Sequence, residues 1–460
     1  MIYFVLVDRF ANGDPGNDGT IDLADPSAFH GGDVRGVLAH LDDIQATGAD
    51  TVWLSPVFEM RTTPFFGFGA FHGYWVEDLS RMEPRFGTIA DLRALSDALH
   101  ARGMKLYLDV VYNHVAPDGR LFHDRPDWFH PPHPIEHWED PVEVVQGQVH
   151  GLPDLAQEKE EVYTFLRDAS LGWIRDVAPD GFRVDAVRHM PVSFLGRMAG
   201  DLRAADPDFR LLGEVFEGDP AKVAAAVAGG GMDAVFDFPL HFAMLDVFCD
   251  RQSPGALGAV LAQDERYPAG TELVTFLDNH DRPRIRTRCG VHEDEALDFL
   301  FAVRGTPSLT WGTEAGLVGE KEPENRGDMV FGDTELRRAI AARAAARRAS
   351  PALSTGETRA VYLDPTLFVF ARVASDTKWV AVNTGETREF HGHTLPPGVT
   401  VFDAPPPPAR GPQRVRLAGT APLAPGDELR AVGAGDTFGH WDPAHGVPLP
   451  ATLKIGRAHV

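Results

Sequence analysis

Four short stretches put carboxylates and imidazoles just where apolar runs end: "DVVYNH" (109–114), "GFRVDAVRH" (181–189), "LLGEVF" (211–216) and "FLDNHD" (276–281). Read as a strand, the second puts Phe182, Val184 and Ala186 on one face and Arg183, Asp185 and Val187 on the other. A lone Arg-x-Asp is most often a structural ion pair, and a lone acid at a strand end most often a loop cap. Four such stretches are harder to explain that way, because like charges crowded into a partly buried site cost stability unless the chemistry needs them. Paired carboxylates in different environments suit the cleavage of an acetal. One, ionised, attacks an oxocarbenium-like centre, and the other, protonated, donates to the leaving oxygen. In this reading Asp185 is the nucleophile and Arg183 holds it ionised by a charge-assisted hydrogen bond. Glu214 is the proton donor, its pKa raised by nearby negative charge, and Asp278, His280 and Asp281 complete the mouth.

Such residues need a scaffold that aims several strand ends at one point. Apolar, branched runs recur at 2–10, 49–58, 104–111, 182–187, 210–216, 233–238, 272–277 and 307–311, separated by helical stretches. Eight strands alternating with helices predict a parallel (β/α)8 TIM barrel, in which functional residues sit at the C-terminal strand ends. One helix shows the local logic: Thr88 caps, Asp91 lies three residues on, Leu92, Leu95 and Leu99 share a face, and Gly103 ends it. The barrel (domain A) is expected over 1–114 and 155–351, with an inserted domain B, rich in Pro, His and Asp, at 115–154 after strand 3. Alternating runs such as "LFVFARV" predict an antiparallel β-sandwich, domain C, at 352–404, and "APPPPARGP" gives a stiff linker about 405–412. A partial β-rich module is expected at 413–454, and the last six residues, "IGRAHV", read as a non-native tail.

The chain has 460 residues and a net charge of −24, which disfavours nucleic acid or an anionic membrane as partner and suits a neutral substrate. No apolar run approaches the roughly 18 residues of a membrane span, and "MIYFVLVDRF" reads as a strand, with no signal peptide expected within this chain. Two cysteines, Cys249 and Cys289, cannot build a disulfide framework or a four-sulfur metal site; a single bridge between them stays open.

The four stretches, in this order and without gaps, resemble the signature regions of the α-amylase family, glycoside hydrolase family 13. The resemblance covers about residues 1–404 and implies Asp185 as nucleophile, Glu214 as acid/base, Asp281 as transition-state stabiliser and Arg183 as the nucleophile's partner. It implies His114 and His280 at the sugar being cleaved, and His72 and Tyr74 of "FHGYW" beside it, with Tyr74 stacking on the ring. Arg188 stands where the family usually has a substrate-binding lysine. Retention through a covalent glycosyl-aspartate is implied, with the two catalytic carboxyls about 5 to 5.5 Å apart. Calcium is implied too: Asn113, Asp154 and the His189 carbonyl match the family's ion site, and the early loops offer Asn12, Asp14, Asn17, Asp18, Gly31 and Asp33 as an oxygen-only second set. The segment "PGDELRAVGAGDTFGHWDPAHGVPL" resembles the first half of a family 20 starch-binding module, with Trp441 as its sugar platform.

The expected activity is therefore endo-acting hydrolysis of α-1,4-glucosidic bonds in starch and maltooligosaccharides, by a secreted or periplasmic monomer. Cyclodextrin glucanotransferase is the rival. There a large aromatic precedes the domain B aspartate by four residues, and His150 takes that place here. A non-catalytic glucan-binding scaffold or transporter-associated homologue is disfavoured by the intact Asp185, Glu214 and Asp281 set.

Overall fold

The computed structural model describes residues 1–65 and 67–407, together with the backbone of short strand segments at Arg414–Val415, Leu429–Ala431, Val447–Leu449 and Ala458–His459. The segment expected to resemble a starch-binding module, Trp441 included, and the tail otherwise lie outside the described residues.

Eight parallel strands close into a barrel: β1 (Ile2–Val5), β2 (Thr51–Leu54), β3 (Lys105–Val110), β4 (Gly181–Val184), β5 (Arg210–Gly213), β6 (Ala234–Phe236), β7 (Glu272–Phe276) and β8 (Thr306–Thr310). Neighbours in sequence pair in order, and β8 returns to β1 through Ile2 opposite Ser308. All but the last strand are shorter than their apolar runs. After β1 the chain turns into a short 3-10 helix, Val7–Arg9, whose residues stay buried, so burial extends the run beyond the pairing. The Thr88 helix forms as read, spanning Ile89–Ala101 with a reciprocal capping box between Thr88 and Asp91. Its buried face carries Leu92, Leu95 and Leu99, and Gly103 comes after it at a φ of +69°, a conformation L side chains resist.

Between β2 and β3 lies an antiparallel hairpin, Phe58–Met60 with Val76–Met82, which the apolar pattern did not reveal because its register slips twice within three residues. Residues 115–154 contain only short helices, such as Arg120–Asp124 and Glu143–Gln146, and are tied down by isolated bridges, His114 to Asp154 and Phe129 to Leu155. After the helix Glu335–Ala349 comes a four-stranded antiparallel sheet built from Glu357–Leu363, Leu367–Val373, Thr377–Asn383 and Gly398–Asp403, with the hairpin Arg388–Phe390/His393–Leu395 beside it. One face of this sheet supplies Phe368, Phe370, Val380 and Val382 to the barrel's core, while Val369, Ala371, Trp379 and Ala381 pack with Leu395 of the hairpin. Cys249 and Cys289 are joined in a disulfide that links the helical segments after β6 and β7.

Candidate active site

A single buried guanidinium organises the barrel mouth. Arg183, on β4, bonds through Nη1 to Asp109 Oδ1 (2.8 Å) and Asp185 Oδ1 (2.7 Å) and through Nη2 to Glu214 Oε1 (2.8 Å). Three adjacent strands thus deliver three acids to one cation. Asp185 lies one residue beyond β4, its N–H still donating to the Val110 carbonyl, so the strand's alternation keeps it on the face of Arg183. Ala186 then takes a left-handed conformation (φ 50°), unusual for a residue with a Cβ, and its N–H reaches Glu214 Oε2 at 3.3 Å.

Asp109 gives this web its depth. Fully buried, it also accepts from Trp53 Nε1 (3.1 Å) and the Tyr74 hydroxyl (2.8 Å), and burial pushes its pKa up to about 8 against the pull of Arg183. Tyr74 is therefore anchored at its hydroxyl, and its ring stacks on His280 with centroids 4.8 Å apart and 3° between planes.

Burial raises the Glu214 pKa to about 6, Arg183 pulls it down, and the charges of Asp185 and Asp281 push it up again. Burial raises Asp185 as well, with Arg183 opposing it and the neighbouring Glu214 carboxyl favouring the Asp185 anion. Asp281 behaves oppositely. Burial would raise it, yet His280 (3.0 Å) and Arg326 (3.0 Å) outweigh burial and hold it well below the usual carboxylate range. Burial also keeps the imidazoles neutral: His114 is pushed down to about 4, and His72 lies well below its ordinary value.

These groups line a cleft of about 750 Å³, together with Phe65, Phe68, Trp75, Trp138, Leu152, Phe216 and Glu322. His72, Tyr74, His114, Asp185, Arg188, Glu214, His280 and Asp281 all border it, as does His150. His114 Nε2 and His280 Nδ1 are buried with no hydrogen-bond partner, donors or acceptors available to a ligand's hydroxyls. Phe68, Trp138 and Phe216 stand more than a third exposed, large rings facing solvent in a concave site.

Two residues depart from expectation. Asp278 is not at the mouth: its carboxylate accepts from the Ile285 N–H (2.9 Å) and the Thr313 hydroxyl (3.2 Å), capping the helix after β7. Arg188 borders the cleft, but its guanidinium is occupied by the Trp138 carbonyl (2.6 Å) and Glu217 (3.2 Å). Sequence reading also missed Arg326, Trp138 and Phe216. Arg326 lies 45 residues beyond Asp281 with no motif to announce it. Phe216 sits two residues past Glu214 within "LLGEVF", and its place as a large ring just beyond a strand-end acid was a signal that could have found it.

Asn113, Asp154 and the His189 carbonyl converge. The end of the Asn113 amide that faces the carbonyl (2.8 Å) and Asp154 Oδ1 (3.3 Å) is its oxygen only if a cation sits among the three; otherwise the amide turns to donate. The early loop differs. Asn12 donates to both oxygens of Asp18, Asp14 pairs with Arg35 (2.7 Å), and Asp33 accepts from the amides of Gly13, Asp14 and Gly36, capping the helix Val34–Ala39. Only Asn17 Oδ1 is left buried without a partner there. Gly31 packs its Cα against Asn12 and Asp18, where a Cβ would meet the Asn12 amide at 2.8 Å.

The family model "Alpha amylase, catalytic domain" matches residues 4–350. Among curated proteins, the chain is 31% identical over 396 residues to a β/α-amylase of Paenibacillus polymyxa, covering 81% of this chain and 32% of that protein. It is 30% identical over 427 residues to a cyclomaltodextrin glucanotransferase of Bacillus licheniformis, covering 84% and 59%. The chain thus spans between about a third and three-fifths of the length of these relatives. Among solved structures, an Anoxybacillus α-amylase superimposes with a TM-score of 0.79 at 34% identity, covering 95% of this chain and 93% of that one. A Geobacillus thermoleovorans α-amylase complexed with acarbose gives 0.76 at 36%, covering 84% and 87%.

Proposed function

This chain belongs to the α-amylase family of glycoside hydrolases, and from that premise we propose that it hydrolyses internal α-1,4-glucosidic bonds of starch-like glucans with retention of configuration. The observation that carries the reading is the pairing of Asp185 and Glu214 on Arg183, with Asp281 held by His280 and Arg326 in the same cleft, which is walled by exposed aromatic rings. Two carboxyls held by one guanidinium, at 2.7 and 2.8 Å, suit the close spacing of nucleophile and acid/base in a retaining mechanism. Asp185 attacks the anomeric carbon while Glu214 passes its proton to the departing oxygen. Glu214, now a carboxylate, takes a proton from the incoming water, whose oxygen displaces the Asp185 ester. Asp281, held ionised by His280 and Arg326, faces the positive charge that develops at the sugar.

A transferase reading stays in view, because cyclomaltodextrin glucanotransferases are among the proteins this chain resembles. Hydrolysis is favoured by His150, which presents an imidazole to the cleft where the transferases carry a large aromatic. For calcium, the oxygens of Asn113, Asp154 and His189 fit a hard cation, and it would pin residues 115–154 to the barrel by joining the ends of β3, the segment and the loop after β4. The early loop is left outside this proposal, since most of its polar atoms are engaged by protein donors. The Cys249–Cys289 disulfide supports an extracellular or periplasmic setting, and no helix among the described residues is long and apolar enough to cross a membrane.

The deciding experiment resolves the products from soluble starch by chromatography, with Glu214→Gln as the blank. Linear maltooligosaccharides absent from the blank support hydrolysis; cyclic products replace it with transfer, and no products from a folded chain sink both.

A further inference from the structure

Asp281 meets the cleft from a turn after β7 whose backbone is held from both sides. Its own N–H donates to Asn279 Oδ1 (2.9 Å), so a side chain two residues back fixes the amide side of the turn. The carbonyls before and after it, of His280 and Arg282, both accept from one nitrogen, Asn325 Nδ2, at 2.9 and 3.0 Å. Asn325 is buried and comes from a different loop, the one after β8. Only the NH2 end of an amide can meet two carbonyls, so its partners fix which way the side chain points. The pose is kept although it leaves Asn325 Oδ1 buried without a partner.

Asn325 is itself firmly seated. Arg284, three residues past Asp281, donates through Nε to the Asn325 carbonyl (2.7 Å) and through Nη1 to the Trp311 carbonyl (2.8 Å), and its guanidinium lies 4.3 Å from the Trp311 ring centroid. The Asn325 N–H donates to the Lys321 carbonyl (3.0 Å). The loop after β7 therefore holds the loop after β8 through Arg284 and is held in return through Asn325. Arg326, the next residue, donates through Nε to the His280 carbonyl (3.0 Å) and pairs with the Asp281 carboxylate. The two neighbours differ in what they reach: Arg326 meets the carboxylate and borders the cleft, whereas both bonds of the Asn325 amide go to backbone.

We propose that Asn325 is a positioning residue: by bonding the carbonyls before and after Asp281, it fixes the turn from which that carboxylate faces the reacting sugar. This rests on the mechanism proposed above, in which Asp281 meets the positive charge that develops at the sugar. A carboxylate stabilises such a charge only from a set distance and direction. Of the two flanking carbonyls Arg326 reaches the first, so the second depends on Asn325. Removing the amide leaves His280 and Arg326 beside Asp281, so its charge persists and what is lost is its placement. The bound substrate before reaction carries no developing charge, so its binding is expected to survive while the transition state suffers.

The test uses the full chain with α-maltosyl fluoride, whose leaving group needs little help from an acid, and reads kcat and KM from fluoride release. Asn325→Ala and Asn325→Asp, the second keeping the shape but lacking the NH2 group, should each lower kcat about 10²-fold with KM changed less than about twofold, as expected when a reacting group moves by about an ångström. In an Asp281→Asn background, Asn325→Ala should lower kcat by less than about a further twofold, because no carboxylate remains to be positioned. Losses that multiply in full would mean that Asn325 acts elsewhere. A rise in KM with kcat kept would mean that it serves Arg326 at the cleft wall. Either result overturns the proposal, as does a parent-like kcat in both variants. Should neither variant unfold cooperatively on heating, Arg284→Lys gives the milder perturbation, keeping a cation but losing the fork on the carbonyls of Asn325 and Trp311. The same split is then expected with kcat down about tenfold, and an unchanged kcat overturns the proposal. A parent chain that releases no fluoride sinks the mechanism of the preceding subsection and the role of Asn325 with it; a parent that releases fluoride confines any failure to Asn325.

Discussion

The carboxylate web at the barrel mouth and the inserted segment 115–154 both use charge, but under opposite conditions. In the web, Arg183 and Asp109 are essentially inaccessible, and the three acids on Arg183 come from strand ends whose positions are fixed by barrel closure. In the segment, the ties are short helices, three isolated bridges and ion pairs, some of which reach into solvent, such as Lys222 with Glu139. A buried charge that loses its partner keeps its full desolvation cost, whereas an exposed pair is half-compensated by water already. The web is consequently suited to chemistry that tolerates no displacement, and the segment to features that can vary without unfolding the barrel.

This contrast can be broken at its strongest point first. Glu214→Gln removes the proton donor and should lower kcat on starch by about 10³-fold with the melting temperature nearly unchanged, as general acid groups contribute roughly 10² to 10⁴; a loss under tenfold would dissolve the role assigned to it. Arg183→Met leaves three acids facing one another and should cost about 3 to 5 kcal/mol of stability, read by denaturant unfolding. Stability within 1 kcal/mol of the parent would mean that protonation, not pairing, already neutralises the web.

The pH profile sharpens the same point. Because Glu214 must carry its proton, kcat should fall on the alkaline side with an apparent pKa near 6, about tenfold per unit beyond it. The folded pKa lies above the ordinary 4.5, so the fold holds a proton that the unfolded chain has released, and the stability Glu214 contributes fades as pH rises from about 4.5 through 6. An alkaline limb at or below the ordinary 4.5 would count against burial as the dominant influence on this carboxyl.

The smaller effects belong to the segment. Calcium should raise the melting temperature of the parent and leave that of Asp154→Ala unmoved, since ligand bound only to the fold stabilises it by mass action; an equal shift in both would place the ion elsewhere. Lys222→Ala should leave the melting temperature nearly unchanged, as expected of an exposed pair. A large fall would show that the segment is held as tightly as the web, and the contrast would fail.

Much of the web was legible beforehand because its members sit within a few residues of strand ends. Arg183 and Asp185 share a face by alternation alone, and Glu214 comes directly after an apolar run that could only be a strand. Asp278 was misplaced for the same reason. Alternation cannot tell an acid that enters the mouth from one that turns back, three residues before Asp281, to cap the next helix. The hairpin 58–82 escaped because two register slips erase the period that would have marked it.

What the sequence by itself determined is the list of barrel strands, the capping of helices and the chemical character of the mouth, all set by patterns repeating within about ten residues. Only the tertiary structure decided which acids share Arg183, that Asp109 anchors Tyr74, that Arg326 arrives from 45 residues away to hold Asp281, and that Arg188 grips Trp138. Those are pairings between residues whose separation along the chain carries no period, and they come into being only when the barrel closes and brings eight strand ends within reach of one another.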